Sequence, residues 1–251
     1  MYVIDREEVV RRLDHSTCIG LMRDAMIALS EGRTRQLLRG IIDLGGGDMF
    51  GVMPGAVDGS GFGAKLISIF PGAERSHQGV IVMFDRATGA PAGVIDAGEV
   101  TAIRTACASA VATDVLARPD AHRLAILGTG EQAWQHAVAI RHVRPVSAVV
   151  IWGRASDKAQ ALAARIETEL SLPVQIAASP AEAAAGSDII CTTTGAADPI
   201  LFSRDIADGT HLNVVGSSRA GPVEIDNALV ARSRFFPDHR EGVLAQGAEY
   251  L

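Results

Sequence analysis

The feature that most constrains this chain is the run Gly128-Thr129-Gly130-Glu131-Gln132-Ala133 and what flanks it. Leu124-Ala125-Ile126-Leu127 before it reads as a strand, and Ala133 to Ile140 after it repeats apolar residues at helical spacing. A glycine triad alone is a weak signal; between a strand and a helix it is a phosphate-binding turn. Gly128 permits the tight turn, Gly130 lets the backbone approach a pyrophosphate, and Ala133 allows close helix–strand packing. Free N–H groups and the helix dipole then favour an anion at the helix start. The run therefore predicts a nicotinamide dinucleotide site with Gly128 and Gly130 in its phosphate loop.

The surrounding pattern supports that frame. After Pro119, strands are expected over 122–127, 147–152, 173–176, 188–192 and 211–215. Helices are expected over 131–142 and 157–170, with another opening at Ser179-Pro180-Ala181-Glu182. This is the βαβ rhythm of a parallel, doubly wound Rossmann sheet. Before Pro119 the pattern differs. Asp5 caps a first helix, and a second runs over 16–31 to Gly32. Strands follow over 39–44, 48–54, 61–70, 80–85 and 91–96, with a hairpin turn at 85–91 and a small-residue helix over 99–118. The fold class is thus α/β: an α+β domain over 1–118 and a Rossmann domain over 119–251.

The end of the second Rossmann strand discriminates between cofactors. NAD sites place a carboxylate there for the ribose diol, whereas an arginine accommodates the 2′-phosphate of NADP. The sequence reads Trp152-Gly153-Arg154-Ala155-Ser156-Asp157-Lys158. Arg154, Ser156 and Lys158 favour NADP(H); Asp157 keeps NAD open, and surface charges at a helix start are the plainer alternative.

Composition excludes several other classes. Net charge is −6 without a basic block, and aromatics are 4%, which argues against a nucleic-acid surface. No apolar run reaches bilayer length, and the N-terminus meets charge at Asp5, so a membrane span and a signal peptide are not expected. Cys18, Cys107 and Cys191 are scattered and odd in number, as for reduced thiols in the cytoplasm. The seven histidines lack ligand spacing and CxxC is absent, so no metal is expected.

The first domain carries charges inside apolar segments. Lys65 stands in Phe62-Gly63-Ala64-Lys65-Leu66-Ile67 and shares a strand face with Gly63, Ile67 and Ile69. Arg104 lies over Ala108 and Val111 at helical spacing, and Arg39 precedes Gly40-Ile41-Ile42. Each alone also fits a snorkelling surface charge. Together they fit a pocket for a small anion such as an α-carboxylate, with arginine as the bidentate clamp. His77 is a turn histidine with ordinary hydrogen bonds, or else a proton donor beside the Lys65 strand.

Taken together, Met53-Pro54-Gly55, Gly63-Ala64-Lys65, Ser76-His77-Gln78-Gly79, Thr101-Ala102-Ile103-Arg104-Thr105-Ala106, the Gly128 loop, Val215-Gly216-Ser217-Ser218 and Glu224-Ile225-Asp226 resemble the ornithine cyclodeaminase/mu-crystallin family. The resemblance implies a dimer formed through the first domain, acting on a small amino or imino acid with NAD or NADP. It implies that Arg39, Met53, Lys65, Arg104 and Ser218 serve the substrate, with Lys65 and Arg104 catalytic. It implies that Glu131, Gln132, Arg154, Thr192, Thr194 and Val215 line the cofactor. It also implies a C-terminal tail, beyond Leu251, that completes the substrate side. The family's cyclodeaminases carry Val-Gly-Gly-Asp where this chain has Ser218. A hydroxyl does not act as a carboxylate general base near neutral pH. The expected activity is therefore NAD(P)H-dependent reduction of a cyclic imino acid, of ketimine or pyrroline-2-carboxylate type. Conversion of ornithine to proline and ammonia, and non-catalytic NADP binding, are the alternatives.

Overall fold

A computed structural model describes residues 1–73, 76–216 and 221–250. By packing, the chain divides into two units, Met1–Arg104 and Thr105–Leu251.

The first unit is built on a seven-stranded sheet. Its elements are β1 (Tyr2–Ile4), α1 (Arg6–Arg12), α2 (His15–Ser30), β2 (Thr34–Gln36), β3 (Gly40–Gly45), β4 (Asp48–Val57), β5 (Gly61–Ile69), β6 (His77–Phe84) and β7 (Pro91–Asp96). Asp5 caps α1 by accepting from the Glu8 amide, and Asp14 caps α2 by accepting from the Thr17 amide. The strand order is β1-β7-β6-β5-β4-β2, with β3 also on β4. β4 to β7 form an antiparallel meander, and β1 joins β7 in parallel. Directly paired residues share a face, so Met53, Lys65, Ile81 and Ile95 form one row across four strands. The short strands β1 and β2 carry no alternating apolar signal of their own; pairing with β7 and β4 defines them.

Helix α3 (Ala97–Leu116) opens at Asp96, whose carboxylate accepts from the Glu99 amide. The division between units falls inside α3, at Arg104/Thr105, rather than at its end near Pro119. Proline marks where this helix stops, which is a local backbone effect; packing places its later residues with the second unit. There Asn213 donates to the Thr113 hydroxyl, which itself donates to the Ser109 carbonyl.

The second unit is a five-stranded parallel sheet flanked by helices. Its elements are β8 (Arg123–Leu127), α4 (Glu131–Ile140), β9 (Ala148–Trp152), α5 (Ser156–Leu170), β10 (Val174–Ile176), α6 (Pro180–Ala184), β11 (Ile189–Thr192), β12 (His211–Val214), α7 (Asn227–Arg232) and α8 (Arg240–Gln246). The order β10-β9-β8-β11-β12 reverses direction between β8 and β11. Leu124, Ala125, Ile126 and Leu127 are all fully buried, as are Ile189, Ile190 and Cys191, which explains their unbroken apolar runs. In such sheets ligands bind at the carboxyl ends of the strands, where the order reverses.

Candidate functional site

In the second unit, the Gly128 loop leaves the end of β8 at that reversal. The Gly128 amide donates to the Trp152 carbonyl at 2.8 Å, and its φ is +131°. A Cβ on Gly128 would stand 2.5 Å from the Thr193 hydroxyl oxygen and 2.8 Å from the Thr193 carbonyl oxygen. Glycine is therefore required both by conformation and by the close approach of the loop after β11. Gly130 meets a different need. It is the N-cap of α4, and a Cβ there would meet nothing within 4 Å. That space lies over a helix start with no side-chain cap, whereas α1, α2, α6 and α7 are capped by Asp5, Asp14, Ser179 and Asp226. An open cradle over uncapped helical amides fits a phosphate.

The other expected cofactor residues fall into two groups. Arg154, Ser156 and Lys158 are exposed after β9, and Arg154 enters no ion pair among the described residues. Glu131 is exposed and accepts from the Gln135 amide group at 2.9 Å, while the Gln132 carbonyl accepts from His136 Nδ1 at 2.7 Å. Thr192 is fully buried and donates its hydroxyl to Glu224. Thr194 is half-buried and also bonds Glu224, through both its amide and its hydroxyl. The Val215 amide donates to the Thr192 carbonyl at 3.0 Å. Ser218 lies outside the described residues.

Sequence reasoning assigned no role to His136. Its Nδ1 donates to the Gln132 carbonyl, because a carbonyl can only accept. Its Nε2 then accepts from the Ser109 hydroxyl at 2.9 Å. Burial pushes its pKa down to about 4, against the opposing Gln132 bond. This neutral imidazole fixes α3 to the helix that begins at the phosphate loop.

In the first unit, Lys65 is half-buried at the centre of β5, directly opposite Met53 on β4 and Ile81 on β6. Its pKa is pushed down to about 8, by burial first, then by the positive charges of Arg104 and Arg39. The structure thus brings the three expected cations into one electrostatic cluster. Arg104 comes from α3; Arg39 precedes Gly40, whose partner Val52 neighbours Met53. His77, at the start of β6, belongs to the same surroundings. Its ring shares a 2.9 Å hydrogen bond with the Ser76 hydroxyl. Its pKa is lowered by burial and then by Lys65. Clustered positive charge raises the free energy of the empty cluster and favours an anion beside it. Among the described residues no group of acids, histidines and cysteines could hold a metal ion, and no helix is long and apolar enough to cross a membrane.

Known proteins resemble this chain over most of its length. Ketimine reductase mu-crystallin of Mus musculus is 34% identical over 191 residues, 74% of this chain and 60% of that protein. A Delta(1)-pyrroline-2-carboxylate reductase of Paracoccus denitrificans is 34% identical over 239 residues, 91% of this chain and 74% of that one. The chain thus spans about three-fifths of the length of the mammalian relative. The structure of Thermococcus litoralis Delta(1)-pyrroline-2-carboxylate reductase, in complex with NADH and L-proline, superimposes with a TM-score of 0.95 at 29% identity. That superposition covers 99% of this chain and 79% of the other. The profile of the ornithine cyclodeaminase/mu-crystallin family matches residues 2–249, and the chain belongs to that family.

Proposed function

We propose that this protein is a nicotinamide-dependent reductase of cyclic α-imino acids, the ketimine or pyrroline-2-carboxylate class. The observation that carries the reading is the cluster of Arg39, Lys65 and Arg104, in a chain that also holds an open phosphate cradle. Gly128, Gly130 and the first turn of α4 would hold the dinucleotide, which when bound supplies hydride to an electrophilic C=N carbon. Arg104 and Arg39 orient the substrate by its carboxylate, the arginine fork matching two oxygens at once. Lys65 neutralises the remaining negative charge. With its pKa at about 8 it gives up a proton to the ring nitrogen more readily than an ordinary lysine. An iminium is already electrophilic, so the chemistry asks for positioning more than for a strong base. This favours reduction over ornithine cyclisation, because the chain has Ser218 where cyclodeaminases have a carboxylate.

Arg154, Ser156 and Lys158 support NADP(H) as the preferred form through the ribose 2′-phosphate. A cytoplasmic homodimer formed through the first unit completes the reading. Ile41, Ile42 and Leu44, all exposed on β3, support such an interface.

The test is oxidation of NADPH or NADH, followed by absorbance, with Δ1-pyrroline-2-carboxylate and its six-membered homologue. Turnover is expected, with KM raised about 100-fold in Arg104→Ala through loss of the carboxylate clamp. Cofactor affinity should be unchanged in that variant. Ammonia release from ornithine without net cofactor change, or dinucleotide binding with no turnover, would refute it.

A further inference from the structure

The segment Gly221-Pro222-Val223-Glu224-Ile225-Asp226 places a carboxylate between apolar residues, and the reaction outlined above does not use it. Glu224 is 0% exposed. Its Oε1 accepts from the Thr194 amide and from the Thr194 hydroxyl, each at 2.6 Å. Its Oε2 accepts from the Gly216 amide at 2.6 Å and from the Thr192 hydroxyl at 2.8 Å. These donors lie at the carboxyl ends of β11 and β12. The segment itself is anchored: the Ile200 and Leu201 amides donate to the Glu224 carbonyl, and the Glu224 amide donates to Glu249 Oε1.

A buried carboxylate needs its lone pairs satisfied, and four converging donors do this at short range. The arrangement also explains Gly216, where a Cβ would stand 2.1 Å from the Thr194 carbonyl oxygen and 2.6 Å from the Glu224 carboxyl carbon. The segment after β11 also reaches the phosphate turn. The Thr193 amide donates to the Leu127 carbonyl at 2.8 Å, and Thr193 is what a Gly128 Cβ would strike.

We infer that Glu224 is the positioning residue of the dinucleotide site, its carboxylate holding Thr192, Thr194 and Gly216, at the ends of β11 and β12, in the form that receives the cofactor. The inference rests on the proposed use of that site for a dinucleotide. Glu224 touches no ligand; it acts through Thr194, Gly216 and, by way of Thr193, the Gly128 turn. Glutamine in its place keeps the shape but turns a donor NH2 toward at least one of these donors, so the lock opens without a cavity.

The experiment measures dissociation constants for NADPH and NADH by fluorescence titration, together with melting temperature. Glu224→Gln, Thr192→Val and the remote core variant Ile166→Ala are compared with the parent chain. Glu224→Gln is expected to bind about ten-fold or more weakly, the loss typical of a charge-assisted hydrogen bond, and Thr192→Val to fall between. Ile166→Ala should melt earlier yet bind as the parent does, because Ile166 is buried in α5, which packs against β10, β9 and α4. Parent-like affinity in Glu224→Gln, or an equal loss in Ile166→Ala, would overturn the inference. Should Glu224→Gln not fold, Thr192→Val decides, and unchanged affinity there overturns it. A parent chain that binds neither dinucleotide overturns the proposed function itself and this inference with it.

Discussion

Replacing Lys65 by methionine should stabilise the protein while removing its affinity for substrate. The lysine stem is already half-buried in the β4–β5–β6 row, and methionine fills a similar volume without charge. The charge is what the fold holds at a disadvantage. A pKa of about 8 in place of 10.5 corresponds to about 3 kcal/mol against the protonated form. Solvent screening of a half-buried group reduces this to about 1–2 kcal/mol. The sign follows from proton counting. Between pH 8 and 10.5 the unfolded chain binds more protons at Lys65 than the folded one, so stability rises with pH across that window. Below pH 8 both states are protonated and the full disadvantage applies. Lys65→Met should therefore be more stable than the parent by about 1–2 kcal/mol at pH 7, with the gain gone above pH 10.5. Urea unfolding followed by far-ultraviolet circular dichroism is the assay, since Trp134 and Trp152 both lie in the second unit and report on that unit alone. Under the proposed function, a small α-carboxylate ligand should protect the parent in the presence of cofactor and leave the variant unprotected. A variant no more stable than the parent at pH 7, or a gain that ignores pH, would refute the reasoning.

Gly128→Ala should cost about 2–4 kcal/mol, from the unfavourable φ and the contact with Thr193, and should remove the stabilisation that NADPH gives in thermal unfolding. His136, with its pKa at about 4 rather than 6.5, should withdraw up to about 3 kcal/mol as pH falls from 6.5 to 4, since the unfolded imidazole then binds the extra proton. Tryptophan fluorescence reads this in the second unit, and His136→Leu should be weaker at pH 7 but flatter across that window. Arg154→Ser should weaken NADPH binding about ten-fold with NADH little affected, as measured by fluorescence titration; equal effects on both would remove the 2′-phosphate reading.

Much of the molecule was legible in sequence because its signals are local. The Gly128 turn, the buried strand Leu124–Leu127 and the periodic helix after it depend on backbone sterics and on apolar spacing along a few residues. The strands from Gly40 to Asp96 follow likewise from β-rich runs between turns. β1 and β2, three residues each, did not stand out, because a short strand is defined by its partner. The short helices α7 and α8 were hidden for a related reason, being a turn or two of chain held by the caps Asp226 and His239.

At the site the division is sharper. The sequence by itself determined the phosphate loop, the candidate cations Arg39, Lys65 and Arg104, and the family they point to, because each is a residue type in a local frame. Only the tertiary structure decided that these cations share one field, which rests on pairing β5 with β4 and on Arg104 and Arg39 coming within electrostatic reach of Lys65. It alone made Thr192 a buried donor, and turned Glu224 from one acid in an apolar stretch into the acceptor for Thr192, Thr194 and Gly216. The physical reason is sequence distance: hydrogen bonds that join the ends of β11 and β12 to a residue after both are set by the closing of the sheet, which no local pattern records.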